Sequence, residues 1–293
     1  MSGTLLERAL DVVELLVDHP EGLPLSEIAR LLNIPKSATH RILSHLGRRG
    51  YVGQPGDLER YRLNLKLAAL GLRFVSRTNV GDICQPVIDR LAQDTGEFVR
   101  LALWDGAALT WVAKAQGAQH GLRYDPDMGY PVVLHATATG RVWLGTLPER
   151  EAVRLVRQRG FDVPERFPKQ RIKDEAALLA ELRLTRKRGY GMAVEEGEPG
   201  TAAVAVAIET GENYRSPGTL SVAGPIVRMQ PERLKEIVPL MQKASHELSE
   251  LWPLTRMRQD TPPEFTSPVP KQKKGAASKK VKSSNGRAVS RNM

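Results

Sequence analysis

The stretch from Leu25 to Val52, LSEIARLLNIPKSATHRILSHLGRRGYV, leaves its chain few ways to fold. Its first part sets Ile28, Ala29 and Leu32 at helical spacing, with Glu27 in the first turn, where the helix dipole is positive. Pro35 pushes the residue before it out of the helical region, so Asn33-Ile34-Pro35 ends that helix. A second helix begins at once and runs over Lys36–Arg48. Its apolar stripe is narrow: Ala38, Ile42 and Leu46, with Leu43 beside it. The other side carries Ser37, Thr39, His40, Arg41, Ser44 and His45, hydrogen-bonding side chains of modest size.

The flanking sequence completes a small unit. Leu5, Leu6, Ala9, Val12, Val13, Leu15 and Leu16 predict a helix over Thr4–Asp18, which the prolines and glycine of HPEGLP stop. After the third helix, YVGQPGDLERYRL reads as two short strands around a Gln-Pro-Gly-Asp turn. Three helices and a hairpin make a winged helix-turn-helix over residues 1–63. In that architecture the third helix enters the major groove and reaches base edges. Lys36, Ser37, Thr39, His40, Arg41, Ser44 and His45 are the expected contacts. Arg48, Arg49, Arg60 and Arg62 fall where the helix end and hairpin meet phosphate or the minor groove.

Placement of charge carries this reading, not its total. The net charge is +10, but eight Lys/Arg against two carboxylates between Asp260 and Met293 supply six of it. Eight basic and eight acidic residues cancel over Met1–Leu63. The carboxylates gather in the first two helices (Glu7, Asp11, Glu14, Asp18, Glu21, Glu27), and none lies from Lys36 to Arg49. A merely solvated helix would mix signs. Asp57 and Glu59 at the hairpin tip count against close phosphate approach there.

The remaining chain alternates textures. Asn64–Arg77 predicts a helix linking two domains over residues 64–79, and DICQPVIDRLAQDTG a second, kinked or begun at Pro86. FVRLALWDGAALTWVAKA reads as two strands joined at Asp105-Gly106. GYPVVLHATATGRVWLGTL reads as a strand running into a helix opened by Gly140. Glu149–Arg159 and Asp174–Lys187 predict helices, and GYGMAVEEGEPGTAAVAVAIET and PGTLSVAGPIV predict strands. Pro231–Leu251 closes the fold as a helix. Residues 80–255 thus form an α+β domain. Residues 260–293, rich in Pro, Lys, Ser and Gly, are expected to be a disordered basic tail that either adds sequence-independent attraction to DNA or only solubilises.

Several segments together resemble the IclR family of bacterial transcriptional regulators. They are LERALDVVELL, the Leu25–Val52 stretch, YRLNLKLAALG, LHATATGRVWLG, RGYGMAVEEGEPG and LSVAGPIVRM, in that order. The resemblance spans Thr4 to Leu251. It implies a GAF-like effector domain with a mixed sheet, a homodimer or tetramer, and palindromic double-stranded operator DNA. It also implies a cup on the sheet for a small organic effector, often a carboxylic acid. By the same resemblance the Ala138–Gly140 turn offers backbone amides to an oxygen of the ligand, with Leu134, His135, Thr137 and Thr139 around it.

The chain departs from the family in the other two cup segments. Ala193-Val194-Glu195-Glu196 stands where relatives commonly read Asp-Asp-Glu-Glu, and Ala202-Ala203 where they read Arg-Cys. Ser221-Val222-Ala223-Gly224-Pro225 replaces Ser-x-Ser-Gly-Pro. The expected effector contacts are therefore Leu134, Thr137, Ala138, Thr139, Gly140, Val194, Ala203, Ser221 and Ala223. A lost bond to a charged ligand costs roughly 1.5–3 kcal/mol. Methyl groups at these places fit a larger, more apolar, aromatic ligand, or a site that no longer senses one. Trp104 and Trp111 on the first hairpin are expected in the core, with stacking on an aromatic ligand as the alternative.

An enzyme is the least supported class. Cys84, His135 and Glu195 are the residues that a nucleophile, base and acid would need, and nothing in the sequence brings them together. The chain has no G-x-S-x-G, phosphate loop or H-E-x-x-H, and its six histidines are scattered, so neither metal nor cofactor is expected. One cysteine, no membrane-length apolar run and no signal pattern suggest the cytoplasm.

Overall fold

The computed structural model describes residues 4–54, 59–78, 80–126, 128–163, 167, 171–208 and 216–259, with only the backbone given for 78, 80 and 252–259. The basic tail from residue 260 onward and most of the Gln-Pro-Gly-Asp turn lie outside the described residues.

Helix α1 (Leu5–Val17) starts in a reciprocal cap. The Glu7 amide donates to the Thr4 hydroxyl at 3.2 Å, and the Thr4 amide to the Glu7 carboxylate at 2.6 Å. Two free amides are thereby satisfied. Val12 and Leu16 pack on Ile28, Ile42 and Leu43, from α2 (Leu25–Leu31) and α3 (Lys36–Arg48). The turn between α2 and α3 depends on Asn33 at φ 51°, a left-handed conformation Asn tolerates better than most residues. Ile34 then points inward, and its amide donates to the Ala29 carbonyl at 2.9 Å.

The wing has three strands, not two. β1 (Leu23–Pro24) pairs with β3 (Arg60–Leu63), whose other edge pairs with β2 (Val52–Gly53). The end of the HPEGLP break is thus used as an edge, where proline's missing amide costs no ladder bond. Helix α4 (Lys66–Thr78) leads to α5 (Val80–Thr95), which runs through Pro86.

The larger sheet comprises β4 (Phe98–Trp104), β5 (Leu109–Gln116), β6 (Gly191–Val194), β7 (Thr201–Ala207) and β8 (Gly218–Pro225), ordered β5-β4-β8-β7-β6. The class is α+β, as expected, but every pairing is antiparallel and the sheet is not mixed. Sequential strands are joined as hairpins, and the long β5-to-β6 connection returns at the far edge, so no crossover sets two neighbours parallel. At the first hairpin the Asp105 carboxylate accepts from the amides of Ala107 and Ala108 at 2.8 and 2.7 Å, and Gly106 takes φ 98°.

One face of this sheet packs on α5 and α9 (Pro231–Gln259), burying Cys84, Ile88, Leu101, Val204, Val222 and Met241 among others. The other face meets α6 (Ala138–Gly145), which contacts α7 (Glu149–Arg159) and α8 (Glu175–Arg188). The strand expected before α6 reduces to a single bridge, Thr110 with Pro131, followed by a turn at 134–136. Proline cannot extend such a ladder. Thr137, not Gly140, opens α6: its hydroxyl accepts from the Gly140 amide at 3.0 Å. Among the described residues no helix is long and apolar enough to cross a membrane.

Candidate nucleic-acid interface and effector cup

The solvent side of α3 is built as the helical wheel requires, with one exception. Lys36, Ser37, His40, Arg41, His45, Arg48 and Arg49 are exposed and Ser44 is half-buried. Arg48 and the His45 ring bond each other at 2.7 Å. Thr39 is the exception. It is fully buried, and its hydroxyl donates back to the Pro35 carbonyl at 3.2 Å and lies 3.5 Å from that of Ile34. A side chain folded onto the first turn cannot read a base, so the expectation for Thr39 is withdrawn. Arg60 is exposed but already committed, donating to the Gly22 carbonyl at 2.8 Å and so tying the wing to the loop before β1.

The cup lies on the α6 side of the sheet and has a volume of about 430 Å³. Register explains its floor. Ala193 pairs with Ala203, and Ala203 with Ala223, so three methyl groups stand side by side across β6, β7 and β8. In the next row Ala205 pairs with Ser221 and Ser221 with Arg100. Thr137 and Thr139 close the cup from α6, and Trp111, Tyr124, Tyr130 and Phe167 wall it.

Of the expected effector contacts, Thr137, Thr139, Ala203, Ser221 and Ala223 therefore meet at one cavity. Four do not line it. Val194 follows Ala193 in an extended strand, so it points to the α5–α9 side. Ala138 packs beneath the cup with Val142, Ala193 and Ala205. Leu134 lines a separate cleft with His135 and Val156. Gly140 is needed for packing: a Cβ there would stand 2.3 Å from the Leu134 carbonyl oxygen.

Arg100 was not among the expected residues. It is 8% exposed, lines the cup, and lies over the Trp111 ring at 3.8 Å. Among the described residues it enters no ion pair, and its Nε and the Trp111 Nε1 are buried without hydrogen-bond partners. Burial pulls the Arg100 pKa down, opposed by Tyr124 and, more weakly, Glu198; burial also pushes Tyr124 up to about 12. A signal existed in the sequence: Arg100 shares the period-two face of Phe98, Ala102 and Trp104 in an otherwise apolar strand. Trp104 and Trp111 both pack against the core, as expected; Trp111 also lines the cup, and Trp104 stacks on the buried Trp143 at 4.4 Å.

A buried ion pair frames the cup. Arg141 and Glu196, 1% and 3% exposed, meet through two hydrogen bonds. Arg141 also donates to the carbonyls of His135 and Met192, each at 2.9 Å. It thereby joins the α6 turn, strand β6 and the loop after it.

Of the residues considered for catalysis, Cys84 and His135 stand apart. Cys84 belongs to the α5–α9 cluster, and burial pushes its thiol up to about 11. His135 bonds the Phe161 carbonyl at 3.1 Å and packs on the Phe161 ring, and burial lowers its pKa. Among the described residues no cluster of His, Cys, Asp and Glu could hold a metal ion.

Comparison with known proteins bears on both sites. A family model described as the IclR helix-turn-helix domain matches residues 5–56, and one described as bacterial transcriptional regulator IclR C-terminal matches residues 72–250. The HTH-type transcriptional regulator BhcR of Paracoccus denitrificans is 30% identical over 244 residues, covering 83% of this chain and 85% of that one. The crystal structure of the Thermotoga maritima IclR superposes with a TM-score of 0.63 at 27% identity, covering 84% of this chain and 97% of the other. A double mutant of the inducer-binding domain of PobR from Acinetobacter, solved with 3-hydroxybenzoic acid, superposes with a TM-score of 0.52 at 25% identity, covering 59% of this chain and 98% of the other. With both halves of the chain matched in order, the protein belongs to the IclR family of bacterial transcriptional regulators.

Proposed function

We propose that this regulator acts in the cytoplasm as a homodimer, or a pair of dimers, that sets two α3 helices into successive major grooves of a palindromic operator. Residues 1–63 would form the reading head, residues 64–79 the connection and residues 80–255 the effector domain. The observation that carries the reading is the solvent face of α3, exposed at Lys36, Ser37, His40 and Arg41 and free of carboxylate throughout. Helix α4 and the residue before it support the dimer: Leu65, Leu72 and Phe74 are 85, 70 and 70% exposed, an apolar surface that a second copy would cover.

The effector reading rests on the cup. A 430 Å³ cavity with an aromatic wall and a buried cation that enters no ion pair among the described residues suits a small organic molecule better than a vestigial site. The relative bound to 3-hydroxybenzoic acid is consistent with that choice. Tyr130, in the cup wall, also donates to Asp18 of the head at 2.9 Å, a direct route by which an occupied cup would bias head placement.

Selection of bound fragments from random DNA tests the reading. The expected product is a pair of inverted half-sites with centres about one helical turn apart, ~10 base pairs. Recovery of unenriched DNA would refute it.

A further inference from the structure

We infer that the cup takes an aromatic monocarboxylate whose carboxylate is bound by the Arg100 guanidinium, with the Trp111 indole N–H as a second donor. This rests on the effector reading above and deepens it.

A buried guanidinium without an ion pair is costly, and its cost is removed by any anion that brings its own charge into the site. Arg100 is in that position. Among the described residues its Nε has no hydrogen-bond partner, nor does the Trp111 Nε1 beneath it. Both side chains line the same cavity, so among the described residues the Arg100 Nε and the Trp111 Nε1 are left for oxygen atoms of a ligand, while the Tyr124 hydroxyl serves the rest of the guanidinium. The two wall carboxylates do not fill that role. Asp125 is held by Lys114 at 2.9 Å, and Glu198 is an exposed rim residue acting on Arg100 only at range. One cation and one neutral donor match a single negative charge better than a double one.

The rest of the cup describes the body of the ligand. The floor of Ala193, Ala203 and Ala223 is flat and without polar side-chain atoms, and its methyl groups form one straight row across the strands. Trp111, Tyr124, Tyr130 and Phe167 rise around it. A planar ring fits between such a floor and such walls, as an alkyl chain or a sugar would not. Ser221 and Thr139 offer hydroxyls at the side, so a ring hydroxyl would also find partners. The amides at the start of α6 are not the main anchor in this arrangement. The Gly140 amide is already taken by Thr137.

Calorimetric titration of the full chain tests the assignment, with benzoate and 4-hydroxybenzoate as acids and benzamide and 4-hydroxybenzamide as their neutral counterparts. The acids are expected to bind at least tenfold more tightly than the amides. Arg100→Met should lower acid affinity at least tenfold and leave amide affinity unchanged. Arg100→Lys should keep part of the preference, and Trp111→Phe should weaken the acids several-fold. The assignment is overturned if neither acid binds, if acid and amide bind alike, or if Arg100→Met binds benzoate as the parent does. Should Arg100→Met fail to fold, the acid–amide comparison on the unaltered protein still decides. Operator binding measured without any aromatic acid separates the two readings. If it persists while the acids fail, only the ligand class falls.

Discussion

The Tyr130 hydroxyl donates to a carboxylate oxygen of Asp18 across 2.9 Å and 112 residues of sequence. Asp18 is the residue that ends α1 in the reading head, and Tyr130 stands in the wall of the cup. A double-mutant cycle on thermal unfolding, with Asp18→Asn, Tyr130→Phe and both together, should give a coupling of about 0.5–1.5 kcal/mol. Additive effects would mean that the head and the cup are not joined here.

Arg41 stands exposed in the middle of the carboxylate-free face. Arg41→Ala should weaken operator binding by about 1–3 kcal/mol while random DNA is bound nearly as before. Fluorescence anisotropy on both DNAs measures this, and equal losses would restrict Arg41 to phosphate.

Thr39 makes the contrasting case on the same helix. Thr39→Val removes a buried hydroxyl that bonds the first turn, so stability should fall by about 0.5–1.5 kcal/mol. Operator affinity, measured under conditions where the variant is folded, should match the parent. A selective loss of operator binding would restore Thr39 to the reading face.

The Arg141–Glu196 pair predicts asymmetric costs. Glu196→Ala strands a buried cation and should destabilise by about 3–5 kcal/mol, read by denaturant titration. Arg141→Met combined with Glu196→Leu should cost less than either single change. A double variant worse than both singles would show that the bonds to His135 and Met192 dominate.

His135 gives a pH dependence whose sign follows from its burial. Its folded-state pKa lies below the ordinary 6.5, because burial disfavours the charged ring. As pH falls through 6.5 the unfolded chain takes up the proton first. Stability is therefore full above 6.5 and declines below it, by up to about 1.4 kcal/mol per pH unit until the folded pKa is reached. Thermal unfolding from pH 5 to 8 should show this fall, and His135→Asn should flatten it.

Local pattern and long-range chemistry were not equally readable in the sequence. The helices of the head were legible because Val12, Leu16, Ile28 and Ile42 repeat at 3.6 residues and Pro35 punctuates them. Thr39 was misplaced because its wheel position borders the stripe and its hydroxyl had a nearer partner in the backbone. In the cup, Ala203, Ser221 and Ala223 were found through the family pattern. The side-by-side arrangement of Ala203 and Ala223 depends on the register of β7 with β8, and the place of Arg100 beside Ser221 on register between segments 121 residues apart. Arg141 and Glu196 are likewise 55 residues apart, and no periodicity announces such a pair.

The glycines around α6 carry a mechanical consequence. A Cβ on Gly140 would stand 2.3 Å from the Leu134 oxygen, and one on Gly191 2.2 Å from the Ala138 oxygen. Main chain rests directly on main chain at both places, with no compliant side chain between to absorb a shift. The α6 side of the cup is therefore stiff, pinned by backbone to the turn at Leu134 and to the start of β6.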